Sequence, residues 1–92
     1  MVRVFVLYDE EPESQRYAQH VELCEQIAGA TFRHGKVFGS PMGEPTHSYY
    51  AEFEFPDMET FKTAAGSPEF AATGADAVAM GYPFTVQFAR LD

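Results

Sequence analysis

The stretch from His47 to Phe55, HSYYAEFEF, sorts its side chains at a period of two: Tyr49, Ala51, Phe53 and Phe55 fall on one side, Ser48, Tyr50, Glu52 and Glu54 on the other. Such alternation marks a β-strand, whose successive side chains point to opposite faces. The first side is apolar enough to be core. The second sets a large tyrosine between carboxylates and fits neither plain solvent surface nor plain core. Val2 to Tyr8 alternates in the same way, with Val2, Val4, Val6 and Tyr8 against Arg3, Phe5 and Leu7, and its β-branched residues predict a first strand. Ala30–Gly39 predicts a second, less regular strand in which Gly35 marks a bulge or a close backbone approach, as suits an edge strand more than a central one. Phe84–Leu91 predicts a last one.

Between these strands the period changes. Tyr17, Val21, Cys24 and Ala28 form one stripe at helical spacing, flanked by His20, Leu23 and Ile27, and predict a helix from Pro12 to Ala28. The carboxylates of Asp9 to Glu13 precede it, where a helix N-terminus favours negative charge, and Gly29 is placed to end it in a left-handed conformation. Ser40 to Thr46, with Pro41, Gly43 and Pro45, reads as a loop. Asp57 is an N-cap for a short helix through Met58, Phe61, Ala64 and Ala65, which Gly66 interrupts. Ser67, Pro68 and Glu69 restart a helix whose expected inner side is Phe70, Gly74, Ala77 and Val78 and which Gly81 stops.

The order β-α-β-β-α-β predicts an α+β, ferredoxin-like fold: a four-stranded antiparallel sheet, strands one and three central, helices on one face. If Val2, Val4, Val6, Tyr49, Ala51, Phe53, Phe84, Val86 and Phe88 meet the helices, the far face carries Arg3, Phe5, Leu7, Tyr50, Glu52, Glu54, Thr85, Gln87 and Ala89. Leaving Phe5, Leu7 and Tyr50 in water would forgo roughly 1.5 to 3 kcal/mol for each large apolar side chain. A second copy of the sheet is the simplest cover, so a homodimer is expected.

Composition narrows the classes. Ninety-two residues, 46% hydrophobic and 15% aromatic, predict one domain spanning residues 1–92. A net charge of -8 and a pI near 4.6 oppose nucleic acid and anionic membranes as partners. The longest apolar run, Val4 to Tyr8, is far short of a membrane span, and a cytoplasmic protein is expected. A single cysteine, Cys24, excludes an intramolecular disulfide.

Among candidate chemical groups, His20 is the side chain best suited to general acid or base work near neutral pH. The plainer reading is a histidine at the core edge with its nitrogens satisfied by backbone. The hydroxyls of Tyr8 and Tyr17 would complete a catalytic set with His20 by donating to a substrate carbonyl, and as core aromatics they would reach water instead. Glu52, Tyr50, His34 and Phe5 are candidate ligand-binding residues. With the hairpin pivoting near Gly43, position 34 falls opposite position 52, which would join His34 and Glu52 as a cross-strand acid-base pair. The alternative for Glu52 is an ion pair with Arg3 or with a partner subunit. His20, His34 and His47 lack metal-ligand spacing. No phosphate loop, nucleotide fingerprint, haem site or serine-centred triad is specified, so no cofactor is expected.

Several segments in order resemble the EthD family of dimeric α/β-barrel proteins: the opening VRVFVLYDEEP, the His20-Val21 pair, GSP at Gly39 to Pro41, YYAEFEF running into an Asp57-capped helix, and SPEF at Ser67 to Phe70. The resemblance covers nearly the whole chain. It implies a ferredoxin-like protomer whose sheet packs against its twin, a role in bacterial degradative or secondary metabolism, and kinship with cofactor-free monooxygenases, muconolactone isomerases and haem proteins. Some methylmuconolactone isomerases of similar layout use a first-helix histidine with a second-strand tyrosine. His20 stands at the first position and Phe32 at the second. The expected function is a small enzyme or accessory enzyme acting on a small hydrophobic or aromatic metabolite by cofactor-free acid-base or oxygenase-type chemistry. A non-catalytic carrier and a structural dimerisation module are the alternatives.

Overall fold

Strict alternation over Val2–Tyr8 forms β1, and burial follows it, with Val2, Val4, Val6 and Tyr8 buried and the residues between them partly exposed. The computed structural model describes all 92 residues. After β1 come α1 (Ser14–Cys24), β2 (Thr31–Lys36), β3 (Tyr49–Phe55), α2 (Met58–Ala65), α3 (Pro68–Met80) and β4 (Phe84–Arg90). The four strands pair antiparallel in the order β2-β3-β1-β4, so β1 and β3 are central as the sequence predicts.

Both central strands bury the face that their alternation assigned to the core. Val2, Val4, Phe53 and Phe55 pack with Cys24, Ile27 and Ala64, and a second cluster joins Val6, Tyr8, Tyr17 and Ala51. Helices cover this face, and α1 packs against α3. Each has a local start signal. The carboxylates of Glu13 and Asp57 accept from the backbone N–H of Arg16 and Thr60, and Ser67 Oγ accepts from Phe70 N–H ahead of Pro68 in the first turn of α3.

Four expectations are corrected. Helix α1 stops at Cys24, because the next turn tightens through Gln26 N–H to Leu23 O and Ile27 N–H to Cys24 O, which swings Ile27 into the core. Gly35 pairs with Tyr50 in unbroken register, so it is no bulge, although β2 is indeed an edge. Val78 is 71% exposed, and the inner side of α3 is Phe70, Thr73, Ala77 and Met80. Val86 and Phe88 point to the helix side but stay 45% and 61% exposed, since the helices leave the β4 margin open.

Gly29 sits between α1 and β2 at φ 81°, the left-handed region that glycine enters at least cost. A Cβ there would overlap the Thr60 methyl of α2, so bare backbone is required on two counts. No helix of the chain is long and apolar enough to cross a membrane. The far face of the sheet carries no helix, and Phe5, Leu7 and Tyr50 remain partly exposed on it.

Candidate functional site

Where α3 leans over β1 and β4, the packing leaves a cavity of about 170 Å³. Its walls are mostly apolar, with Val4, Val6 and Phe53 from the sheet, Phe70 and Ala77 from α3, and Phe84 from β4. The polar side chains that line it are His20, Tyr8 and Thr73. Its open side runs along the exposed Val86 and Phe88. A larger hollow of about 550 Å³ near Gly29 and Thr60 is a polar depression, and its carboxylates Asp57, Glu59 and Glu69 belong to the caps and first turns of α2 and α3.

His20 is 5% exposed and reaches the cavity from the second turn of α1. Its Nδ1 lies 2.8 Å from Asp76 Oδ2 of α3. Arg16, one helical turn before His20, binds the same carboxylate through two nitrogens, at 2.6 and 3.2 Å. Hydrogen bonding from Arg16, with a further contribution from His20, holds the Asp76 carboxyl below the usual aspartate range despite partial burial. An ionised carboxylate only accepts, so Nδ1 is the donor. Nε2, at the opposite edge of the ring, makes no protein hydrogen bond and is free to take or give a proton. Thr73 Oγ1 donates to Phe70 O at 2.7 Å, which leaves its lone pairs as acceptors.

The two tyrosines expected beside His20 are both buried there. Tyr8 lines the cavity, whereas Tyr17 stands behind it, its ring 5.7 Å from Tyr8 and 5.4 Å from His20. The Tyr17 hydroxyl does not reach water as expected of a core tyrosine: Tyr17 is 3% exposed and its hydroxyl has no hydrogen-bond partner. Burial pushes both phenols above their ordinary range, so they act as neutral groups. Burial also pushes the Cys24 thiol up to about 12, as suits an inert core residue.

The expected pair of His34 with Glu52 does not form. His34 lies opposite Ala51, one residue from the anticipated register, and a one-residue slip sends a side chain to the other face. His34 therefore faces the helix side at the β2 margin, where its Nδ1 and the Tyr49 hydroxyl share a 2.6 Å hydrogen bond. Arg33 takes its place opposite Glu52.

On the far face Glu52 is only 7% exposed. Tyr50 Oη donates to it at 2.7 Å, Arg33 Nε at 2.8 Å, and Arg3 Nε stands 3.5 Å away. Glu54 accepts from both Arg3 and Arg33, at 2.9 and 2.7 Å. Burial acts to raise the Glu52 pKa, but the hydrogen bonds from Tyr50 and Arg33 and the two guanidinium charges outweigh it and keep the group ionised. The sequence alternative of an ion pair with Arg3 is thus realised, with Arg33 added. Glu52, Tyr50 and Phe5 lie across the sheet from His20, so the candidate residues divide between two faces rather than forming one site.

Asp76 and Arg16 were not among the sequence candidates. The available signal was the spacing of Arg16 and His20, which puts both on one side of α1. Nothing local to the alanine-rich α3 marks Asp76 as their partner.

No curated protein matches the sequence at a significant level. Among solved structures, an ethyl tert-butyl ether D (EthD) family protein from Bacillus halodurans is 25% identical, with a TM-score of 0.81, over 100% of this chain and 99% of that one. A dimeric ferredoxin-like protein of unknown function from Jannaschia sp. CCS1 is 19% identical, with a TM-score of 0.74, over 98% of each chain. SnoaB, a cofactor-independent oxygenase from Streptomyces nogalater, is similar in fold at 14% identity and a TM-score of 0.62, over 99% of this chain and 92% of that one. The model of the EthD domain matches residues 7–80, which hold β2, β3 and all three helices, and by that match the chain belongs to the EthD family.

Proposed function

We propose that this EthD-domain protein is a homodimer that binds a small hydrophobic or aromatic metabolite in the cavity between α3 and the sheet and transfers a proton to or from it through His20. The observation that carries this reading is the fixed imidazole: Asp76 holds Nδ1 while the ring lines an apolar cavity. A histidine so held serves as an acid or base at a defined edge, with the carboxylate orienting it. Tyr8 is the phenol placed to donate to a polar atom of the ligand, and Tyr17 supports the two rings from behind. No step of this chemistry calls for a cofactor. The reactants would be compounds with a proton made acidic by a neighbouring carbonyl or ring, as in the degradative and secondary metabolism to which the family resemblance points.

The dimer reading rests on the far face. Phe5, Leu7 and Tyr50 surround an internally paired set of two arginines and two glutamates, and a second sheet would cover them without stranding a charge. Under this reading Glu52, Tyr50 and Phe5 are interface residues rather than ligand contacts.

The test of proton transfer is solvent exchange. Purified protein in D2O is incubated with cyclohexanone, and deuterium at the α carbon is followed by NMR. Exchange above the buffer rate that falls at least tenfold in His20→Gln supports the acid-base role. Glutamine retains a donor for Asp76, so the fold is expected to persist. Binding of the ketone without exchange would leave a carrier, the reading favoured by the predominantly apolar wall.

A further inference from the structure

We infer, on the reading that this cavity binds a metabolite, that it selects an uncharged ligand about the size of one ring with a short polar substituent, and rejects a carboxylate of the same shape.

Size comes first. A closed apolar hole of about 150 Å³ holds a benzene molecule, and the volume here is about 170 Å³. One ring and a small substituent fill it, and a fused second ring would have to project through the open side into water past Val86 and Phe88.

Charge comes from the walls. The groups able to meet a polar substituent are His20, Tyr8 and Thr73, none a fixed cation, and no lysine or arginine lines the cavity. Arg16 is the guanidinium tied to the same carboxylate as His20, and Asp76 occupies it with two hydrogen bonds and an opposite charge. Arg16 does not line the cavity, and its charge is already balanced by Asp76. A carboxylate entering between Val6, Phe53 and Phe84 would lose its hydration and find no compensating charge, which is the costly case for a buried ion. The chain's net charge of -8 opposes the approach of an anion as well. A neutral amide, phenol or carbonyl suffers none of these penalties, and it can exchange hydrogen bonds with Nε2 of His20, the Tyr8 hydroxyl and the lone pairs of Thr73.

Benzamide and benzoate separate the charge effect cleanly, because they share a shape and differ in charge. Each is titrated at pH 8 into the isotopically labelled 92-residue protein, and the signals of His20, Thr73 and Phe84 are followed by NMR. Benzamide should move these signals saturably, with benzoate at least tenfold weaker and 2-naphthamide at least tenfold weaker as well. Benzoate binding as tightly as benzamide would overturn the charge selection, and equal binding of 2-naphthamide would overturn the size limit. If neither benzamide nor phenol moves these signals, the cavity reading beneath the inference falls, and the inference with it.

Discussion

Asp76 Oδ2 accepts from His20 Nδ1 at 2.8 Å while Oδ1 accepts from Arg16 at 2.6 Å, so one carboxylate on α3 fastens two residues that stand four apart on α1. The pairing does two things at once. It docks the helices to each other, and it fixes the edge of the imidazole that is turned away from the carboxylate.

The charge on Asp76 should therefore show in the pH dependence of stability. Its folded pKa is depressed below an unfolded value of about 3.9. The stabilisation is fully present above that value and is lost as pH falls through the folded pKa. At pH 7 Asp76→Asn should cost about 1 to 3 kcal/mol in urea unfolding, and the gap from the wild type should narrow below about pH 4. An equal gap at pH 7 and pH 3 would mean that shape rather than charge holds α1 to α3.

Phe5 tests the assignment of the far face. Sedimentation velocity should find the wild-type chain dimeric at micromolar concentration. Phe5→Arg should give monomer, or unfolded chain, which circular dichroism distinguishes. A variant that remains a folded dimer would place the interface elsewhere on the molecule.

Cys24 is 1% exposed and its thiol is pushed up to about 12 by burial. The thiolate is the reactive form, so iodoacetamide at pH 7.5 should label the native protein only as fast as it unfolds and the urea-unfolded chain at the rate of a free thiol. Rapid labelling without urea would show that α1 lifts from the sheet far more often than its packing implies.

Gly74 lies inside α3 beside the cavity, and a Cβ there would meet open space. Gly74→Ala should raise stability by roughly 0.5 to 1 kcal/mol, the usual gain from removing a mid-helix glycine. Chemical denaturation measures it. A loss of stability would mean that the cavity wall depends on the uncovered backbone.

The sheet was legible because its central strands follow the rule of two without a break: Val2, Val4 and Val6 against Phe53 and Ala51 fix which side meets the helices, whatever the loops do. Register was harder. The loop from Val37 to Ser48 carries its own hydrogen bond, Val37 N–H to Ser48 O, and this sets Arg33 rather than His34 opposite Glu52. Counting from a glycine could not supply that bond. The end of α1 was overrun for a similar reason, since Ala28 continues the helical stripe in sequence while the turn that brings Ile27 inward ends it in space. At the site, His20 could be picked out by residue type and helical face. Asp76 could not, because its meaning comes from a helix crossing that joins positions 56 residues apart.

Gly29 adds a consequence for descent. A side chain at this position must both tolerate a left-handed backbone and displace the Thr60 methyl. Positions 29 and 60 are consequently coupled: a lineage that lost the glycine would have to turn or shorten the Thr60 side chain, and even then only a residue such as asparagine, which enters the left-handed region more readily than most, would follow. Two surface positions thus constrain each other, and a side chain at the first should be tolerated best where the second carries a smaller residue.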